Sequence, residues 1–235
     1  MKTRLLQAED MDDPTLPPAE LIEALTGLAR LNRISFSASA LWHVLEHAYL
    51  GCCATHQNRP PWTVMDLATG GGDLPIRLAE WARRKAYPWQ ILGADINPIA
   101  LDRAAHQAAA QGVNVEWLRL DVTRDPLPDC DWAISSLFLH HLDESTVVSV
   151  LSRMAQAARV GVLIDDLERT NLNRGLVCLG AHLLSRSAVV HQDSDRSLLA
   201  AFTLPEITAL AHQAGLHPVQ IASRFPARFQ LLWTR

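Results

Sequence analysis

The 235-residue sequence has no excess of positive charge, because 21 Lys and Arg stand against 25 Asp and Glu for a net charge of −4. A polyanion finds no electrostatic footprint on such a chain, so nucleic acid is not expected as a partner. Cysteine is scarce and badly spaced for metal or disulfide work: Cys52 and Cys53 are adjacent, and Cys130 and Cys178 are isolated. They read as reduced thiols in the cytoplasm. Long apolar runs are missing as well. Met1 to Pro18 carries acids and prolines where a signal peptide needs an apolar stretch, and export is not expected. The longest lipophilic helix pattern, Gly175 to Leu184, is far short of the ~20 residues that cross a bilayer. Internal repeats and low-complexity tracts are absent too. The length suits one well-buried domain with additions better than two full domains.

What is present is a glycine cluster between an apolar strand and a helix, Thr63-Val64-Met65-Asp66-Leu67-Ala68-Thr69-Gly70-Gly71-Gly72-Asp73-Leu74. Glycine allows φ > 0 and lets bare backbone approach a ligand, as in strand-loop-helix units that bind nucleotides. The flanking charge narrows the ligand. A dinucleotide pyrophosphate wants free N–H groups at a helix N-terminus and is opposed by Asp66 and Asp73. Pro75 also stands where a dehydrogenase fingerprint has its third glycine. An NAD-dependent oxidoreductase is therefore disfavoured, and a cationic ligand such as S-adenosylmethionine fits. Two more strands end in acids. Trp89 to Ala94 runs into Asp95, whose carboxylate can take two ribose hydroxyls, and Val115 to Leu120 runs into Asp121, which can read an adenine edge.

With these residues the chain resembles the class I S-adenosylmethionine-dependent methyltransferases over roughly Pro61 to Arg235. The family's loop, acid-x-Gly-x-Gly-x-Gly, maps onto Asp66, Ala68, Gly70 and Gly72, with Ala68 as the one departure. The resemblance implies that Asp95 holds the ribose and Ile96 covers one adenine face. It also implies that Asp121 and Val122 meet the adenine edge and that Ser135 joins the cofactor site. Shorter motifs resemble a bacterial subgroup that is associated with type III polyketide synthases and related to quinone-biosynthesis methyltransferases. They are Met11-Asp12-Asp13-Pro14, Leu28 to Arg33, Leu183 to Ser187 and Arg224 to Phe229. That likeness implies a phenolic or quinonoid polyketide methylated on oxygen, with Asn32, Arg33 and Ser35 lining a cap over the cofactor or simply ending an amphipathic helix.

Alternation of strands and helices predicts an α/β fold with a parallel sheet covered on both faces. Asn97 and Pro98 open a helix that Gly112 ends. A fourth strand, Asp131 to Ser136, precedes a helix near Glu144 to Ala157, and a fifth, Arg159 to Ile164, ends at Asp165-Asp166. Thr203-Leu204-Pro205-Glu206 is a capping box, and His217 to Ser223 with Arg228 to Trp233 make a hairpin. The family likeness turns this into a Rossmann-like, doubly wound, mostly parallel seven-stranded sheet with an antiparallel C-terminal hairpin. The expected division is an N-terminal helical cap over 1–58, with helices at Pro18 to Leu31 and Phe36 to Leu50, and a core over 59–235. Residues 166–202 are an insertion that emerges at the ligand side and roofs the substrate.

The chemistry centres on Leu137-Phe138-Leu139-His140-His141-Leu142, at the rim after the fourth strand. His140 and His141 are the candidate bases, against the alternative that they cap or pack. The donor methyl is already activated, so alignment, worth ~7–11 kcal/mol, outweighs a base worth ~10²–10⁴-fold. A phenol at ~10 and an imidazole at ~6.5 differ by roughly 4.8 kcal/mol, which requires proton transfer concerted with methylation or a stabilised phenolate. The Asn/Asp-Pro-Pro-aromatic motif of base N-methyltransferases is replaced by Ser135-Ser136-Leu137-Phe138. Asp165 and Asp166 supply only half of an oxygen metal site, so no metal is expected. They read as turn caps, His191, Asp193 and Arg196 as solvated surface, and Arg224 and Arg228 as exposed residues. The leading expectation is an O-methyltransferase of secondary metabolism. Quinone-type C-methylation or a non-catalytic cofactor-binding protein stands behind it.

Overall fold

The computed structural model describes residues 3–13, 15–55 and 61–235, the side chains of 53–55 excepted. Pro14, the Cys53 thiol and the expected boundary at 58/59 lie outside the described residues. Seven strands make one sheet: β1 (Trp62–Leu67), β2 (Trp89–Asp95), β3 (Glu116–Arg119), β4 (Cys130–Ser136), β5 (Ala158–Leu167), β6 (Val219–Arg224) and β7 (Arg228–Thr234). Their order is β3-β2-β1-β4-β5-β7-β6, and β1 to β5 are parallel. The terminal strand β7 runs antiparallel to both β5 and β6, as the hairpin reading requires. The winding direction reverses between β1 and β4, and that switch point opens a crevice beyond the strands' carboxyl ends.

Eight helices accompany the sheet among the described residues: α1 (Pro18–Ile34), α2 (Ser37–Thr55), α3 (Asp73–Arg84), α4 (Pro98–Ala110), α5 (Glu144–Ala157), α6 (Asn171–Leu184), α7 (Ala188–Ala200) and α8 (Leu204–Gln213). The period of two along the strands distributes them. In β1, Trp62 and Val64 join a core with Leu41 and Leu45 of α2 and Leu74 and Leu78 of α3. Met65 and Leu67 turn to the other face, against Val150 and Leu151 of α5 and Ile207 of α8. The caps follow their sequence signals. Asn97 Oδ1 accepts the Ile99 and Ala100 amides, and Thr203 and Glu206 form the capping box.

Of the two N-terminal helices, α2 carries Leu41, Trp42 and Leu45 into a core shared with the sheet. Helix α1 packs Ala24 on Ala181, Val189 and Val190 of α6 and α7, and Leu21 and Leu25 on Ala100 of α4. One expectation is corrected here: the fifth strand runs past Ile164. Pairing of Asp165, Asp166 and Leu167 with Gln230, Phe229 and Arg228 keeps both acids inside β5 rather than capping a turn.

Candidate active site

The turn after β1 enters the left-handed region at Ala68 (φ 55), Gly70 (φ 52) and Gly72 (φ 75). A Cβ on Gly72 would lie 2.6 Å from both Ala104 and Trp117, so glycine there serves the approach of α4 and β3 as well as the turn. Gly70 turns its N–H to Asp95 Oδ2 at 2.7 Å, while Asp95 Oδ1 accepts the Asn97 N–H at 2.9 Å. The acid at the end of β2 is thereby fixed against the glycine turn. Asp66 lies behind that turn, fully buried, with Oδ2 accepting the Thr69 hydroxyl at 2.6 Å and Oδ1 without a hydrogen-bond partner. Burial pushes its carboxyl up to about 8, with Asp73 and Asp95 adding to the rise and the Thr69 hydrogen bond opposing it. Burial likewise raises Asp73 and Asp95. Arg103 reaches the loop at Gly71 O, 3.4 Å from its Nη1, and with Arg228 it opposes the rise at Asp73.

A cleft of about 160 Å³ opens at these strand ends. Ala68, Asp95, Ile96, Asp121 and Val122, all named by the sequence, line it together with Leu120, Thr123 and Phe138. Asp66, Gly70 and Gly72 shape it from behind. Ile96 is 60% exposed at the mouth. Asp121 Oδ1 accepts both the hydroxyl and the amide of Thr123, which holds its carboxyl below the usual range. Ser135 is spent elsewhere, since its hydroxyl donates to Leu67 O at 2.8 Å and ties β4 to β1. A wider, shallow depression of about 460 Å³ lies on the outer face of α4 beside Ile22, away from these groups, and has no part in the site.

His140 and His141 sit in a short turn, Leu139–His141, that follows the cleft residue Phe138. His140 is buried, with Nδ1 2.6 Å from Asp166 Oδ1. Asp166 Oδ2 accepts the amides of Phe138 and Leu139, so one carboxylate aims both the turn and the ring. Burial alone would raise Asp166, but the charge and hydrogen bond of His140 outweigh it and hold this acid low. Asp166 thus fixes the His140 ring through Nδ1, with Nε2 turned toward Glu9 Oε1 at 3.8 Å. His141 Nδ1 meets Asp12 Oδ2 at 2.8 Å. Burial would lower His141, yet the Asp12 hydrogen bond and the Glu9, Asp12 and Asp166 charges drive it up to about 9. The two histidines, equal in sequence, are unlike in the fold.

Several residues read as a turn cap, as solvated surface or as exposed arginines are structural. Asp165 is completely buried and receives Arg224 through Nε at 2.7 Å and Nη2 at 2.9 Å, and Arg228 through Nη1 at 3.0 Å. Arg228, 4% exposed, also donates to Asn32 Oδ1 at 2.8 Å, and Asn32 Nδ2 donates to Asp73 Oδ2 at 3.1 Å. The end of α1 is thus tied to the glycine turn. Asp193 is buried and accepts the Asp10 and Met11 amides, with Arg196 bound to both Asp10 and Asp193. His191 Nε2 lies 2.9 Å from Ser185 O. The N-terminal segment is clamped over the histidine turn by these contacts, which sequence spacing alone could not reveal.

Residues 64–161 match a methyltransferase domain model. A demethylmenaquinone methyltransferase of Thermus thermophilus is 38% identical over 71 residues, 30% of this chain and 30% of that protein. Its Deinococcus radiodurans counterpart is 36% identical over 72 residues, 31% of this chain and 28% of that protein. The matched stretch thus spans about 30% of the length of the curated relatives. Among solved structures, a S-adenosylmethionine-dependent methyltransferase of Aquifex aeolicus is 16% identical with a TM-score of 0.59, over 94% of this chain and 99% of that one. The magnesium protoporphyrin IX methyltransferase of Synechocystis PCC 6803, holding the demethylated cofactor, is 15% identical with a TM-score of 0.58, over 93% and 100%. Residues 64–161 thus match a methyltransferase domain, and the fold around them is shared with solved S-adenosylmethionine-dependent methyltransferases.

The residues fit that cofactor. Asp66 Oδ1 is a buried acceptor without a partner, and the cleft offers the Asp95 carboxylate, which can accept from hydroxyls, beside the apolar side chains of Ile96 and Val122, against which a flat base can pack. When bound, S-adenosylmethionine supplies an activated methyl group on a positively charged sulfur.

Proposed function

We propose that the protein moves this methyl group to an oxygen of a small lipophilic aromatic acceptor in the cytoplasm, a phenol of polyketide origin and hence of secondary metabolism. One observation carries the preference for oxygen: Asp166 holds His140 by Nδ1, so the ring's other nitrogen, Nε2, is the one placed to take a proton. A base oriented in this way takes a hydroxyl proton as the oxygen bonds the methyl carbon, and such help is worth ~10²–10⁴-fold. Alignment in a dry pocket contributes more, and α6 and α7 with α1 supply the roof. The second reading is methylation of ring carbon. The names of the Thermus and Deinococcus relatives, both demethylmenaquinone methyltransferases, favour it.

The test is turnover with a panel of phenols and quinols, followed by mass spectrometry after alkyl-oxygen cleavage. Loss of the new methyl on cleavage supports oxygen, and its retention supports carbon. His140→Ala is expected to lower kcat ~10²–10⁴-fold with cofactor affinity kept, whereas an unchanged rate would return His140 to packing. Calorimetric binding of NAD in place of S-adenosylmethionine and its demethylated product would remove both readings.

A further inference from the structure

Glu9 places one carboxylate oxygen beside each of the two histidines. Its Oε1 lies 3.8 Å from His140 Nε2 and its Oε2 lies 3.9 Å from His141 Nε2. Those separations are too long for hydrogen bonds. They are nonetheless within the span that one ion can bridge, since bonds of ~2.0–2.2 Å, the usual Zn–N and Zn–O lengths, reach atoms up to about 4 Å apart. The three donor atoms lie within 4.8 Å of one another, with Glu9 and His140 buried and His141 partly so. Each imidazole is gripped at its other nitrogen by a carboxylate, His140 by Asp166 at 2.6 Å and His141 by Asp12 at 2.8 Å. Carboxylate–histidine–metal relays are built in that way, the outer acid fixing both tautomer and ring plane. Glu9 is itself aimed by Ser197, whose hydroxyl donates to Oε1 at 2.5 Å.

The charge balance agrees. Three carboxylates, Glu9, Asp12 and Asp166, surround two imidazoles, while Arg4 spends its Nη2 on the carbonyls of His140 and Leu142 and Arg196 is bound to Asp10 and Asp193.

We infer that Glu9, His140 and His141 form a site for a divalent first-row transition ion, zinc foremost, which pins the N-terminal segment to the turn after β4. Two imidazoles and one carboxylate suit zinc, cobalt or iron and leave coordination positions open. The sequence, with its histidines adjacent and Glu9 131 positions before the first of them, gave no metal spacing, and none was expected from it. The inference rests on the methyl-transfer reading of this turn and refines it. With the ion present, an acceptor oxygen meets its open face and not a bare Nε2.

The experiment uses the full chain, stripped with chelator and titrated with Co²⁺ and then Zn²⁺. One Co²⁺ per chain is expected, with the visible absorption of a four- or five-coordinate site that Zn²⁺ bleaches. Glu9→Gln and His141→Ala should each abolish that absorption while the circular dichroism of the metal-free protein is unchanged. Asp12→Asn, which keeps all three ligands, should weaken Co²⁺ binding ~10–100-fold. Failure to bind one equivalent, or absorption retained in both ligand variants, would overturn the assignment and move any ion to the thiols or to the stacked His182–His191 pair. Should a variant misfold, X-ray absorption of the wild-type zinc protein decides, two imidazoles in an N/O shell supporting the site and sulfur refuting it. Turnover without stoichiometric metal would sink this inference and leave the methyltransferase reading standing. Stoichiometric metal without turnover would do the reverse.

Discussion

At Ala68 the chain keeps a methyl group in the left-handed region, φ 55, at a turn where the resembling family uses glycine. A Cβ there costs ~1–2 kcal/mol through its clash with the following carbonyl. Glycine would remove that cost and add ~0.5–1 kcal/mol of unfolded-state entropy. Ala68→Gly is therefore expected to stabilise the protein by about 0.5–1 kcal/mol, read as a raised urea midpoint at constant m-value, with S-adenosylmethionine affinity retained. A lowered midpoint would mean that the alanine packs to more purpose than its torsion costs. The same position tells what sequence reading can and cannot do for a single residue. The match of Ala68 to a glycine slot was visible. The backbone's acceptance of the strain instead of a changed turn was not, because the Gly70 amide and Asp95, 25 positions away, hold the turn in shape.

Among elements, the acids at the ends of β1 and β2 were legible because a buried strand followed by a polar residue marks its own carboxyl end. The joints between elements were not. Asp165 lies 59 positions from Arg224 and 63 from Arg228, and nothing local distinguishes these arginines from surface ones. Removing the charge of Asp165 strands a buried guanidinium, and breaking such pairs costs ~3–5 kcal/mol. Asp165→Asn should lower stability by about that much. Because Arg224 also donates to Ser35 O and Arg228 to Asn32, hydrogen exchange should rise selectively at the end of α1. Uniform exchange across the sheet, or a loss below about 1 kcal/mol, would show that the network does not tie α1 to the strand ends.

For the whole molecule, the α/β layering, the hairpin and the cofactor strand ends could be read from periodicity and from the family's loop. The histidine site could not, because half of it comes from residues 9–12 folded across β4 and β5. The same global closure governs the response to pH. Asp66 titrates near 3.8 when unfolded and at about 8 in the fold, so between those values the folded state holds a proton that the unfolded chain has released. Stability of the cofactor-free protein is therefore greatest on this account below about pH 4, falls as pH rises through the window to 8, and flattens above it. Burial raises Asp73 and Asp95 too, and their contributions carry the same sign. A bound ammonium and sulfonium favour the ionised carboxylate, so binding S-adenosylmethionine at pH 7 should expel a proton from Asp66. The calorimetric binding enthalpy should then change with the ionisation enthalpy of the buffer, with a slope corresponding to net proton release. In Asp66→Asn that slope should shrink and the pH-dependence of stability between 4 and 8 should flatten. Equal enthalpies in phosphate and Tris, in wild type and variant alike, would mean that the buried acid is already ionised before the donor arrives.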